Sequence, residues 1–161
     1  MTRQMRTWQP PATFTPEQKA QAMDRHRKES TYFGLLGLQL LDLEPGYCRL
    51  QLPFKMDITH GEGTVQGGIL TTLADSCIAH ASIAALSQAG KITTTIELKI
   101  NFIRPAVGGT FTSHARLIHL GQRTAVGEAE ITNDQGKLIA KCMASLMVLP
   151  REATEAPAAN G

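Results

Sequence analysis

The chain has 161 residues, a net charge of +2 and a pI near 8.5. That length suits one domain able to bury roughly 70% of its unfolded surface. The charge is mild and not gathered into a stripe of Lys and Arg, which excludes the electrostatic footprint of a nucleic-acid partner. The apolar runs contain polar residues or stop short of the about 18 residues that a membrane span needs, so no membrane partner is expected. Cys48, Cys77 and Cys142 lie far apart among apolar neighbours. They read as buried thiols in a reducing compartment, not as a metal knuckle or a disulfide framework. The stretch from Met1 to Phe14 has Arg3 and Arg6 but no apolar run, and Pro10-Pro11 interrupts any amphipathic helix. The expected location is cytoplasmic.

Thr15-Pro16-Glu17-Gln18 opens the first element: a threonine cap, proline at the first helical position and Gln18 where a capping box places it. A polar helix toward Glu29 follows. The apolar stretch Tyr32 to Leu41, broken by Gly34 and Gly37, predicts a short turn of helix leading into a strand. From Gln39 to Phe54, alternation around Glu44-Pro45-Gly46 predicts a β-hairpin. Met56 to Gly68 is a glycine-rich loop. Ile69 to Leu86 is apolar all round, the pattern of a helix wrapped by other structure. Three strand-like stretches complete the series, Ile92–Ile103, Thr110–Leu120 with Gln122–Thr132, and Lys137–Val148, separated at hairpin spacing by Gly108-Gly109, Gly121-Gln122 and Asn133-Asp134-Gln135-Gly136. The reading is an α+β domain over residues 32–149, an antiparallel sheet curled around one long helix. Residues 1–31 form an extension carrying an extra N-terminal helix, and residues 150–161 are expected to be a disordered tail.

The loop and the helix after it carry the functional signal. Gly67 and Gly68 lead into the apolar helix, where backbone N–H groups and the positive end of the helix dipole suit an oxyanion. Paired glycines leave those amides open to a bulky ligand, or else serve only close packing against the sheet. Asp75 stands in the middle of this helix between Leu73, Ala74, Cys77 and Ile78. A carboxylate among such neighbours is costly unless paired or used. It lies seven residues beyond Gly68, about 10 Å along the axis, too far for one chain to bring both to a single carbonyl. Two antiparallel copies of the helix across a twofold axis would set Asp75 of one beside the Gly67 amide of the other.

The string Gly63-Thr64-Val65-Gln66-Gly67-Gly68-Ile69-Leu70-Thr71-Thr72-Leu73-Ala74-Asp75, preceded by His60, resembles the PaaI branch of the hotdog-fold acyl-CoA thioesterases. The family pattern is an Asn, then Gly, His-Gly-Gly and Leu-Ala-Asp. The likeness runs over about residues 36 to 148 and includes Phe102-Ile103-Arg104-Pro105-Ala106 and Gly121-Gln122-Arg123. It implies a hotdog fold working as a dimer or dimer of dimers, hydrolysing acyl-CoA without metal or cofactor. It further implies that Gly67 is the oxyanion donor, that Asp75 is general base or nucleophile, and that a strand hydroxyl, Thr95, orients water. Two departures stand out. Gln66 replaces the usual histidine and cannot exchange a proton near neutral pH, so its role is confined to holding the thioester carbonyl or the loop. His60 takes the place of the usual Asn at the substrate. Gly68 belongs to the same cradle, and Arg104 and Arg123 are phosphate partners for the coenzyme or ordinary surface charge.

Two other readings stay open: an acyl-CoA-binding module without turnover, and a hydratase or dehydratase, against which the missing histidine argues. Gly61-Glu62-Gly63 does not complete a dinucleotide fingerprint, Ala89-Gly90-Lys91 lacks the rest of a phosphate loop, and His60-Gly61-Glu62 has no following Cys pair for zinc. His80, His114 and His119 show no ligand spacing and read as structural or exposed.

Overall fold

The structure, a computed structural model, describes residues 13–29 and 31–154. The elements follow in the order α1 (Pro16–Glu29), α2 (Tyr32–Leu36), β1 (Gln39–Glu44), β2 (Tyr47–Pro53), a 3-10 turn (Met56–Ile58), α3 (Gly67–Ala85), β3 (Lys91–Phe102), β4 (Thr110–Leu120), β5 (Thr124–Asn133) and β6 (Leu138–Pro150). The six strands form one antiparallel sheet in the order β1-β2-β4-β5-β6-β3, with α3 lying in its curve. This is the hotdog architecture, with an added N-terminal helix. The helix Gly67–Ala85 is long and apolar enough by composition to cross a membrane, yet here its inner face is buried against the sheet.

Apolar alternation builds that core. Leu50 and Leu52 on β2, Phe111 on β4, Ile131 on β5 and Leu146 on β6 point inward and are fully buried against Leu73, Cys77 and Ile78 of α3. Truncation to alanine of any one of these leucines, isoleucines or Phe111 would cost about 2–5 kcal/mol, because a core at crystal-like density leaves a cavity behind. Gly127 sits where helix and sheet come closest: a Cβ there would stand 2.5 Å from Ile78 Cγ2. The three cysteines are free and buried.

The capping box forms as the sequence indicates, Thr15 N–H donating to Gln18 Oε1 (2.9 Å) and Gln18 N–H to Thr15 Oγ1 (3.3 Å). Helix α1 then docks on β1 through Lys19, which pairs with Asp42 at 2.6 Å and Glu44 at 2.8 Å, and on α3 through its last turn. There His26 stacks on His80 with ring centroids 4.7 Å apart, and Phe33 of α2 packs on His80 at 5.2 Å. Both imidazoles are buried.

Strand boundaries shift by a few residues from the sequence reading, and α3 begins at Gly67, two residues earlier than expected, because Gln66 supplies the cap. The end of the domain also differs. Strand β6 continues to Pro150, and Arg151–Thr154 forms a 3-10 turn, with the Arg151 amide donating to the Gly90 carbonyl. The expected tail from residue 150 therefore has structure in its first residues, while residues 155–161 lie outside the described ones.

Candidate functional site

The loop before α3 is a closed turn. His60 N–H donates to Thr64 O, Gly63 N–H to His60 O, and the ends are pinned by Val65 N–H to Ala106 O and Gln66 N–H to Ile58 O, all within 2.9–3.0 Å. Gly63 turns the chain at φ +74°, a conformation that a side chain would disfavour.

Gln66 is extended at ψ 133°, and its side chain folds forward so that Oε1 accepts from the Gly68 amide. This is N-capping by the residue that replaces the family histidine. One consequence concerns Gly68, expected as a substrate donor: its N–H is already taken. The Gly67 amide, at the first helical position, has no partner among the described residues. Of the paired glycines, Gly67 alone presents an open N–H at the positive end of α3.

Asp75 is half-buried on α3. Its Oδ1 accepts from Thr95 Oγ1 at 2.6 Å. A bulge in β3 makes this contact possible. Thr95 pairs with Leu146 and Glu97 with Ser145, so Ile96 is an extra residue and the inward face passes from Thr93 and Thr95 to Leu98, Ile100 and Phe102. Of the three adjacent threonines, Thr95 is the one directed at the carboxylate. On β6, opposite Ile100, Cys142 is buried, and that burial, followed by the charges of Asp75 and Glu97, pushes its thiol up to about 12, so it stays neutral. The Tyr32 hydroxyl donates to Ser76 Oγ at 2.9 Å one residue beyond Asp75; burial raises its pKa, the Ser76 bond opposes this, and the Asp75 charge adds to the rise.

Gly67 and Asp75 occupy opposite ends of the same strand's inner face. Asp75 meets Thr95 near the start of β3, whereas Gly67 lies against the ring edge of Phe102, its last residue. His60 is exposed and shares with Gly67, Phe102, Ile103 and Arg104 an open cavity of about 490 Å³. Arg104 is exposed and donates through Nη1 to the Leu138 carbonyl at 2.7 Å. Arg123 is exposed and falls at the other end of the sheet, where its carbonyl accepts from Val148, the ladder partner of Thr93. Thus Thr95 joins Asp75 and Arg104 joins the Gly67 cavity, while one chain holds the two groups apart. Sequence reasoning missed the contact of Phe102 with Gly67. Its only trace was an aromatic residue ending a strand just before Arg104-Pro105.

The thioesterase superfamily model matches residues 62–140, the segment from this loop through β5 into β6. A protein of Saccharolobus solfataricus, whose name gives it as a candidate esterase, is 31% identical over 121 residues, spanning 75% of this chain and 79% of its own length. The chain belongs to the thioesterase superfamily. The acyl-coenzyme A thioesterase PaaI of Escherichia coli is 29% identical to this superfamily member over 106 residues, 65% of this chain and 73% of that protein. The solved structure of the E. coli PaaI protein superimposes with a TM-score of 0.75 at 24% identity, covering 81% of this chain and 92% of that one, which shows the shared hotdog fold.

Proposed function

We propose that this thioesterase-superfamily chain hydrolyses acyl-CoA thioesters to the free acid and CoA. Asp75 acts as base on water or as nucleophile, and the Gly67 amide of a second copy is the oxyanion donor. The observation that carries the reading is that one chain holds both an oriented, half-buried carboxylate and, at the other end of β3, an open amide at a helix start. Attack on the thioester carbonyl builds negative charge on its oxygen, and a preorganised N–H aimed there is worth about 3 kcal/mol in the transition state. With water as nucleophile, Asp75 takes the proton as the C–O bond forms. The tetrahedral intermediate then expels the sulfur, the C–S bond breaks, and the thiolate recovers a proton to leave as CoA.

Position supports a second copy. Strand β3 is an edge of the sheet, with one side unpaired among the described residues and Ile96, Phe102 and Ile103 exposed along it. Edge strands of this kind are templates for pairing. Thr95 and Phe102 stand at equal distances either side of Leu98-Lys99. An antiparallel meeting of two β3 edges about that midpoint would therefore bring Asp75 of one copy toward Gly67 of the other. Whether two such dimers assemble further is a matter of the outer sheet face. The free buried thiols suit a cytoplasmic setting.

Thiol release from a panel of acyl-CoA esters by wild type and Asp75→Asn tests the reading. The expected result is turnover by the wild type and its loss in a variant that melts like the parent. Undiminished turnover in Asp75→Asn would remove the carboxylate from the chemistry.

A further inference from the structure

Phe102 ends β3 on the face turned toward α3, opposite Ala140, which is fully buried. Phe102 itself is 52% exposed. Its ring lies edge-on against the first glycine of α3: a Cβ on Gly67 would stand 3.1 Å from Phe102 Cζ and 3.4 Å from Cε2. The ring and the glycine line the same open cavity, together with Ile103 and Arg104. A ring so placed stands beside the glycine that carries the open amide, at the wall of the cavity.

We infer that Phe102 is a positioning residue for the thioester group, its ring forming the wall that holds the carbonyl and sulfur of an acyl-CoA against the Gly67 amide. The inference rests on the acyl-CoA reading above. Three physical effects point the same way. Apolar surface beside the glycine keeps water from competing for the Gly67 N–H and strengthens its bond to an arriving oxygen. Sulfur makes favourable contacts at the edge of an aromatic ring, which suits a thioester over an oxygen ester. The wall also restricts the approach of the carbonyl to the cavity side, and small losses of alignment at a reacting centre carry large rate penalties. The same contact suits glycine at position 67, since a Cβ there would make the ring give by a few tenths of an ångström.

The experiment compares wild type, Phe102→Ala and Phe102→Leu on two substrates with the same acyl group, an acyl-CoA and its N-acetylcysteamine thioester, which lacks the nucleotide. The expected result is a fall in kcat of about tenfold for Phe102→Ala on both substrates, partial recovery with the bulkier leucine, and a melting temperature close to wild type. Phe102→Thr, which keeps strand propensity, carries the same expectation if the alanine variant does not fold. A kcat within about twofold of wild type on both substrates overturns the inference, as does a loss confined to KM for acyl-CoA, which would place the ring against the coenzyme instead. In either case wild-type turnover stands, so the parent reading survives. Absence of hydrolysis by the wild type on either substrate overturns both.

Discussion

Thr95 donates its hydroxyl hydrogen to Asp75 Oδ1 across 2.6 Å, joining the edge strand to the central helix at the one carboxylate in α3. The bond fixes one carboxylate oxygen and leaves Oδ2 without a protein partner among the described residues. Thr95→Val keeps the shape and removes the donor, so kcat is expected to fall about tenfold or more while the fold persists. Thr95→Ser should retain most of the activity. Steady-state thiol release with both variants decides the point, and equal rates for valine and threonine would leave the hydroxyl without a role.

Gln66 acts on the same helix as a cap. Replacing an N-cap side chain with alanine costs about 1 kcal/mol, so Gln66→Ala should lower the urea midpoint at unchanged m-value. Gln66→Asn, a strong capping residue, should restore most of the loss. Equal midpoints for all three proteins would show that the bond to the Gly68 amide contributes nothing to stability.

The stacked His26 and His80 make the docking of α1 sensitive to pH. Burial, with the positive influence of His80, Arg151 and Arg25, lowers His26 from 6.5 to about 3. Below pH 6.5 the unfolded chain binds a proton there that the folded chain refuses. The contribution of this site to stability is therefore whole above about pH 6.5 and declines as the pH falls toward 3. At pH 5 the decline amounts to about 2 kcal/mol. Urea unfolding at pH 7.5 and pH 5 measures it, and His26→Phe, which keeps the stack and cannot titrate, should show a smaller difference between the two. A wild-type midpoint that does not move with pH would contradict the burial of a neutral imidazole.

Much of this was legible in the sequence because periodicity and punctuation agreed. The capping box at Thr15, the turn Glu44-Pro45-Gly46 and the all-round apolar helix each had a local cause and formed where expected. Asp75 was visible as a carboxylate out of place, and Gly67 as a glycine at a helix start. The bulge at Ile96 was not visible, since it reverses the inward face of β3 partway along and three successive threonines give no clue to which faces the helix. The fate of the Gly68 amide depended on the rotamer of Gln66, and the His26–His80 contact on how α1 docks, both tertiary matters without a sequence period. The order of Gly67 and Asp75 along one strand likewise needed the sheet.

Gly67→Pro should abolish the oxyanion donor at a small structural cost, the Phe102 ring giving by a few tenths of an ångström. Gly67 is at the first helical position, where proline is favoured, and Gln66 at φ −62°, ψ 133° already has the conformation that precedes proline. Removal of one such donor typically lowers kcat by about 100-fold to 1000-fold. A melting temperature near wild type together with that loss is the expected outcome, measured by thermal unfolding beside the thiol assay, and full activity would exclude the Gly67 amide from the site.

The most direct measurement is subunit mixing. Gly67→Pro and Asp75→Asn chains are each refolded alone and then together, with the mixed species verified by native mass spectrometry. A heterodimer would contain one site with both groups intact and one with neither, so a statistical mixture should recover about one quarter of the wild-type rate. Mixed dimers that form and remain as inactive as either parent would contradict a site shared between two copies of the chain.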